Sequence, residues 1–235
     1  MNMKLVLIVP LLFASIHCTT IQQATGNLPG SSSSTSQQKI VEGLKQALTI
    51  GTQNSTSKLS AVDGFFADAA VKILMPPEAS NVEKTLRNLG MGSLVDKTVL
   101  SLNRAAEDAA KSATPIFVDA IKKMTINDAL GILRGGDSAA TIYFKQKTTG
   151  ALTDAFKPVI STSLNKVDAT KYWSDVFTAY NRVSFKKVNP DLTAYVTQKA
   201  IDGIFYEVGL EEQKIRKDPA ARVTDLLKQV FGGNQ

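Results

Sequence analysis

VDKTVLSLNRAAEDAAKSATPIFVDAIKKM, residues 95–124, decides the fold. Its apolar positions Val95, Val99, Leu102, Ala106, Ala109, Ala113, Ile116, Ala120 and Met124 recur at steps of three and four. That spacing places them on one stripe of an α-helix. The alanines in mid-stripe let a neighbouring helix approach closely. Thr114-Pro115 interrupts the stripe as an N-cap followed by proline at the first helical position. The stretch therefore reads as two helices, or one kinked helix, broken at that pair.

Thr125 caps a short helix that ends at Gly135-Gly136. Asp137 caps the next, which buries Ala140, Phe144, Leu152, Phe156, Val159 and Leu164. A helix over about 169–180 carries the only tryptophan, Trp173. Pro190 opens a long helix to Lys217, and Pro219 opens a last one through Leu226, Leu227 and Val230 to Gly232. Gly90-Met91-Gly92 reads as a helix–helix turn, since no preceding strand supports a phosphate-cradling loop. Val71, Ile73 and Met75 alternate before Pro76-Pro77 as one short β segment, with no partner strand in sight. The expectation is all-α: a single domain of about seven to nine helices over residues 39–232.

Upstream of that domain the composition changes. Residues 18–38 hold Gly26, Pro29-Gly30 and the run Ser31 to Ser36, with almost nothing apolar to bury. They read as a disordered tether, with a coil span of about 25 Å. Before them, Lys4 precedes an apolar run from Leu5 to Ala14, and the only cysteine, Cys18, follows. A short basic region and an apolar core too short to span a bilayer mark residues 1–17 as a secretory signal. Three outcomes are compatible with it: acylation of Cys18 as a bacterial lipoprotein, ordinary cleavage near Thr20, or a retained N-terminal anchor. Ser15-Ile16-His17 departs from the Leu-small-small triplet usual before an acylated cysteine. The favoured expectation is a lipoprotein held at the periplasmic face of a membrane through Cys18, with a soluble periplasmic or secreted protein as the alternative.

Cleavage has a chemical consequence. His17 is the only histidine, and both cuts remove it. The mature chain then has no imidazole and no usable thiol, so Ser-His-Asp and Cys-His catalysis and His-ligated zinc or haem are excluded. The formal charge falls from +6 to +5 as Lys4 leaves. The basic clusters Lys186-Lys187 and Lys214 to Lys217 stand without interleaved aromatics, which argues against nucleic acid.

Five strings now stand in order: NRAAE (103–107), DALGIL (128–133), GGDSAAT (135–141), DLTAYV (191–196) and KIRKDP (214–219). Together they resemble the bacterial envelope family called domain of unknown function 4197, over about residues 39–232. The resemblance implies an exported, mainly helical single domain and no particular activity.

The candidate site residues are polar. Asn103 and Glu107 are four apart on one helix face, and Arg104 is three from Glu107. Beside the alanine stripe these groups read first as a structural network, second as an anion site at Arg104, third as acid–base chemistry at Glu107. Asp137, Thr141 and Arg216 complete the candidate cluster. Gly136-Asp137-Ser138 imitates a serine-hydrolase block, but a nucleophilic serine needs a base that the mature chain lacks. Glu207, Glu211 and Glu212 read as a solvated helix face rather than calcium ligands. No catalytic residue, metal or cofactor is expected. The function read from sequence is a non-enzymatic envelope protein binding a partner protein or an apolar or anionic, lipid-like small molecule. A carboxylate/Arg hydrolase or lyase and a purely structural role are the alternatives.

Overall fold

The structure is a computed structural model describing residues 29–166, 173, 191–218, 225 and 228, with backbone alone for 29–36. Seven α-helices can be labelled in chain order: α1 (Pro29–Ser60), α2 (Ser80–Asn88), α3 (Gly92–Ala110), α4 (Ala113–Lys123), α5 (Ile126–Arg134), α6 (Ala139–Asn165) and α7 (Leu192–Lys217). A single 3-10 turn, Pro77–Ala79, precedes α2. Among the described residues the protein is all-α. The count sits at the low end of the sequence expectation, because the helices expected over 169–180 and 219–232 lie outside the described residues except at Trp173, Asp225 and Lys228.

The alanine stripe does what its spacing demands. Val95, Val99, Leu102, Ala106, Ala109, Ala113, Ala120 and Met124 are buried, and Ile116 is partly so. Two aromatic contacts join three helices at the centre of the core. Phe117 of α4 meets Phe144 of α6 edge-on at 5.2 Å and Phe205 of α7 at 6.1 Å, a preferred geometry for aromatic pairs. Helix α7 is central, packed on α6, α1 and α3. On α1 the small residues Ala47, Gly51 and Ser55, four apart, are buried, and a Cβ on Gly51 would lie 3.5 Å from Ile215. Asn54 meets Glu211 and Lys58 meets Glu207. Since α1 numbering rises as α7 numbering falls, the two helices are antiparallel. The start of α1 thus lies at one end of the molecule, and the start of α7 at the other.

Several sequence readings need correction. The break in the stripe falls at Lys111-Ser112, not at Thr114-Pro115. Thr114 sits inside α4, and its hydroxyl shares a 2.6 Å hydrogen bond with that of Thr56. Proline is tolerated in a first turn because its missing N–H would have no partner there, so Pro115 did not mark the first residue. Helix α7 opens at Leu192, with Asp191 accepting from the Ala194 N–H at 2.9 Å. The backbone is helical from Pro29, ten residues inside the expected tether. Adding turns to an already nucleated helix is cheap, which offsets the serines' weak propensity. Burial begins only at Ile40-Val41, near the expected domain boundary. No strand forms at Val71–Met75 among the described residues. The alternation is real, with Val71 and Ile73 buried and Leu74 exposed, but its partner is a side chain.

Candidate functional site

Between α1 and α2 the chain runs as a strap, a series of turns over residues 61–71 followed by residues 72–76 without regular structure, and α3 holds it with side chains one turn apart. Asn103 is fully buried. Its Oδ1 accepts from the Ile73 N–H at 2.8 Å, and its Nδ2 donates to the Ile73 carbonyl at 2.8 Å and to the Val99 carbonyl at 2.7 Å. A carboxamide offers the same donor and acceptor as a peptide group. Asn103 therefore stands in for the missing neighbouring strand, which is why one β-like segment persists alone.

Glu107, 4% exposed, does the same for the start of the strap. Its Oε1 accepts from the N–H groups of Phe65 and Phe66, both at 3.2 Å. Its Oε2 takes Arg104 Nη1 at 2.6 Å, and Arg104 Nη2 reaches Asp63 Oδ1 at 2.7 Å. Asp63 holds a left-handed φ of 67°, a conformation Asp tolerates better than most residues. The hydrogen bond to Glu107, then that to Asp63, holds the Arg104 guanidinium above its ordinary value. Beneath the strap, Phe65 lies so close to α7 that a Cβ on Gly203 would fall 2.6 Å from its ring. At the far end of the strap the Tyr195 hydroxyl donates to the Leu74 carbonyl at 3.2 Å. In the last turn of α1, Lys58 donates to Glu207 at 2.8 Å and to Asp68 at 2.9 Å. Those bonds raise the Lys58 ammonium pKa and, with the Ala70 N–H, lower that of Asp68.

A second cluster lies farther along α7. Glu212 is 7% exposed and accepts from the N–H groups of Ala140 and Thr141, each at 2.9 Å, and from the Thr141 hydroxyl at 2.8 Å. Arg216 Nε donates to Glu212 at 3.0 Å; its Nη2 donates to Glu212 at 2.9 Å and to the Ile132 carbonyl at 2.8 Å. Glu212 thus caps the first turn of α6 from another helix, where a carboxylate also complements the helix dipole. This replaces the expected cap at Asp137. Ser138 occupies the N-cap position of α6 without a side-chain bond, and Asp137 instead pairs with Lys217 at 2.6 Å. That bond lowers the Asp137 pKa.

The six candidate residues therefore separate into two groups: Asn103, Arg104 and Glu107 on the strap, and Asp137, Thr141 and Arg216 around the start of α6. The reading of Glu207 and Glu212 as a solvated face is overturned, because both are buried and hydrogen-bonded. Sequence reasoning also passed over Asp63 and Lys58, whose partners are distant in sequence. The Thr125 cap is observed as a complete capping box with Asp128, and the Thr125 hydroxyl and N–H lower the Asp128 pKa. An open groove of about 520 Å³ is lined by Asp154, Lys157, Pro158, Ser161, Asp191 and Thr193, and includes none of the six. Among the described residues no three His, Cys, Asp or Glu side chains are grouped to hold a metal, and no helix is long and apolar enough to cross a membrane.

These features define a helical domain whose recognisable strings are hydrogen-bonding devices. A family model described as "Protein of unknown function (DUF4197)" matches residues 34–232, and the chain belongs to that family. No curated protein and no solved structure matches it.

Proposed function

We propose that this chain is a non-enzymatic, exported envelope protein, anchored through Cys18, whose folded domain docks a partner through its surface. One observation carries the non-enzymatic part. The carboxylates most suited to chemistry, Glu107 and Glu212, spend their oxygens on backbone N–H groups and on the guanidinium beside each. A general acid or base needs a free oxygen within hydrogen-bond reach of a substrate proton. Here those oxygens close a strap and a helix terminus. The leader argues for export, and loss of His17 with it removes the commonest catalytic base.

Native mass spectrometry of the protein purified from its own envelope tests this reading. A co-purifying lipid or partner protein, retained by Glu107→Gln as by the parent, supports it. A covalently altered small molecule that appears with the parent and not with Glu107→Gln would restore the hydrolase or lyase. For the anchor, Cys18→Ala should move the protein from the membrane to the soluble fraction, since stable attachment takes more than one acyl chain. A mature N-terminus beginning at Ile21 would replace the anchor with ordinary secretion.

A further inference from the structure

Three exposed large apolar side chains lie within six residues at the turn between α2 and α3. Leu89 is 69% exposed, Met91 44% and Leu94 50%. The turn is rigid by construction. The Gly90 N–H donates to the Arg87 carbonyl at 3.1 Å, and the Met91 N–H to the Leu86 carbonyl at 2.9 Å. With Gly90 at φ 77°, this is the left-handed glycine cap that closes a helix end. Arg87 then staples the two helices, donating to Glu83 at 3.0 Å and to Asp96 at 2.9 Å. Three apolar side chains are thereby held outward on a stiff prong, although nothing in α2 is fully buried.

The cations of the prong, Lys84, Arg87 and Lys97, outnumber its acids, Glu83 and Asp96, both of which Arg87 engages. We propose that this prong inserts shallowly into an anionic lipid bilayer, with Leu89, Met91 and Leu94 among the acyl chains and Lys84 and Lys97 at the headgroups. Amphipathic elements with basic flanks bind that interface through buried apolar area plus attraction to anionic lipid. A second copy of the chain is the poorer occupant. Three half-exposed side chains offer at most a few hundred Å², against about 800 Å² per partner in a standard interface.

The prong lies at the end of the molecule where α1 finishes, because Ile73 pairs with Asn103 and the start of α3 continues beyond it. Helix α1, about 48 Å long at 1.5 Å per residue, begins at the other end. An N-terminal anchor therefore does not carry the prong into a bilayer by itself. A domain that docks both ends lies along the membrane.

The proposal rests on the docking reading above, and a label at the tip tests it separately. In the full chain carrying Cys18→Ser, Met91→Cys is labelled with an environment-sensitive fluorophore and mixed with vesicles of phosphatidylglycerol and phosphatidylethanolamine. The expected result is brighter, blue-shifted emission, quenched by spin labels placed just below the headgroups. Phosphatidylcholine vesicles, and the same label at Gln146→Cys on the exposed face of α6, should give no change. Replacing Lys84 and Lys97 together by alanine should shift the inserted-to-free ratio of the tip about 25-fold toward free, at about fivefold per lysine near an anionic surface. Emission unchanged on anionic vesicles would overturn the proposal. So would a rise without vesicles that grows with protein concentration, which assigns the tip to a second copy. If the tip stays silent while a partner still co-purifies in native mass spectra, the prong proposal falls and the docking reading stands.

Discussion

Glu212→Ala is the sharpest perturbation of the fold. The side chain accepts two backbone N–H groups, a hydroxyl and two guanidinium nitrogens, all at 3.0 Å or less. Its loss leaves the Ala140 and Thr141 N–H groups buried without acceptors, at about 1–3 kcal/mol each. It also takes away the Glu212 carboxylate from the Arg216 guanidinium, only 13% exposed, and breaking a buried ion pair from one side costs about 3–5 kcal/mol. One carboxylate serves both sets, so these figures overlap, and Arg216 keeps the Ile132 carbonyl. The expected cost is about 4 kcal/mol, a large part of the roughly 5–15 kcal/mol that stabilises a typical protein. In a domain of this size that lowers the melting temperature by about 8–16 °C. Thermal and urea denaturation followed by far-ultraviolet circular dichroism read it directly. Glu212→Leu combined with Arg216→Met should recover much of the loss, as hydrophobic replacement of buried ion pairs often does. A Glu212→Ala cost under about 1 kcal/mol, the range of exposed ion pairs, would refute the trans-helix cap.

Three further outcomes are expected. Glu107→Ala should cost about 3 kcal/mol, because two strap N–H groups lose their acceptor. Arg104→Ala should cost about 1 kcal/mol, since its side chain is 38% exposed and solvent can replace it; equal costs in urea melts would contradict the geometry. Gly203→Ala should destabilise by about 1–2 kcal/mol by thermal melting, as overpacking against the Phe65 ring outweighs the roughly 1 kcal/mol gain in helix propensity. The pH dependence has two edges. The Asp68 and Asp128 pKa values are lowered, so their stabilisation is present above the ordinary value of about 3.9 and is lost as pH falls through the lowered values. The Lys58 pKa is raised, so its contribution is complete below about pH 10.4 and is lost as pH rises through the raised value. Denaturation across pH checks both edges: Lys58→Met should flatten the alkaline one and Asp128→Asn the acid one.

Local signals were legible wherever cause and effect sit within one turn. The stripe from Val95 to Met124, the Thr125 capping box and the Gly90 turn all follow from spacing alone. The all-α class follows from their sum. The pairing of Arg104 with Glu107 was legible for the same reason, three residues on one helix face. Glu212 was not, because its partners Ala140 and Thr141 are 72 and 71 residues away. From the sequence it is one of several acids on a charged helix. Asn103 was legible as a polar residue on the face of Glu107, but its pairing with Ile73 was not, because a carboxamide acting as a strand has no periodicity. The Ser-rich stretch after Pro29 misled for the opposite reason: its composition favours coil, but the helix it extends is nucleated by α1 residues that pack on α4 and α7.

The central claim is that the side chains of α3 and α7 serve as hydrogen-bond partners for backbone outside their own helices. Amide hydrogen exchange tests it most directly. The N–H groups of Phe65, Phe66 and Ile73 lie in a strap, and those of Ala140 and Thr141 in a first helical turn, where exchange is ordinarily fast for want of a backbone acceptor. The account predicts that all five exchange as slowly as the core of α3, and that Glu107→Gln weakens protection at Phe65 and Phe66 while Ile73 stays slow. Fast exchange at these positions in the parent protein, with the helices protected, would contradict it.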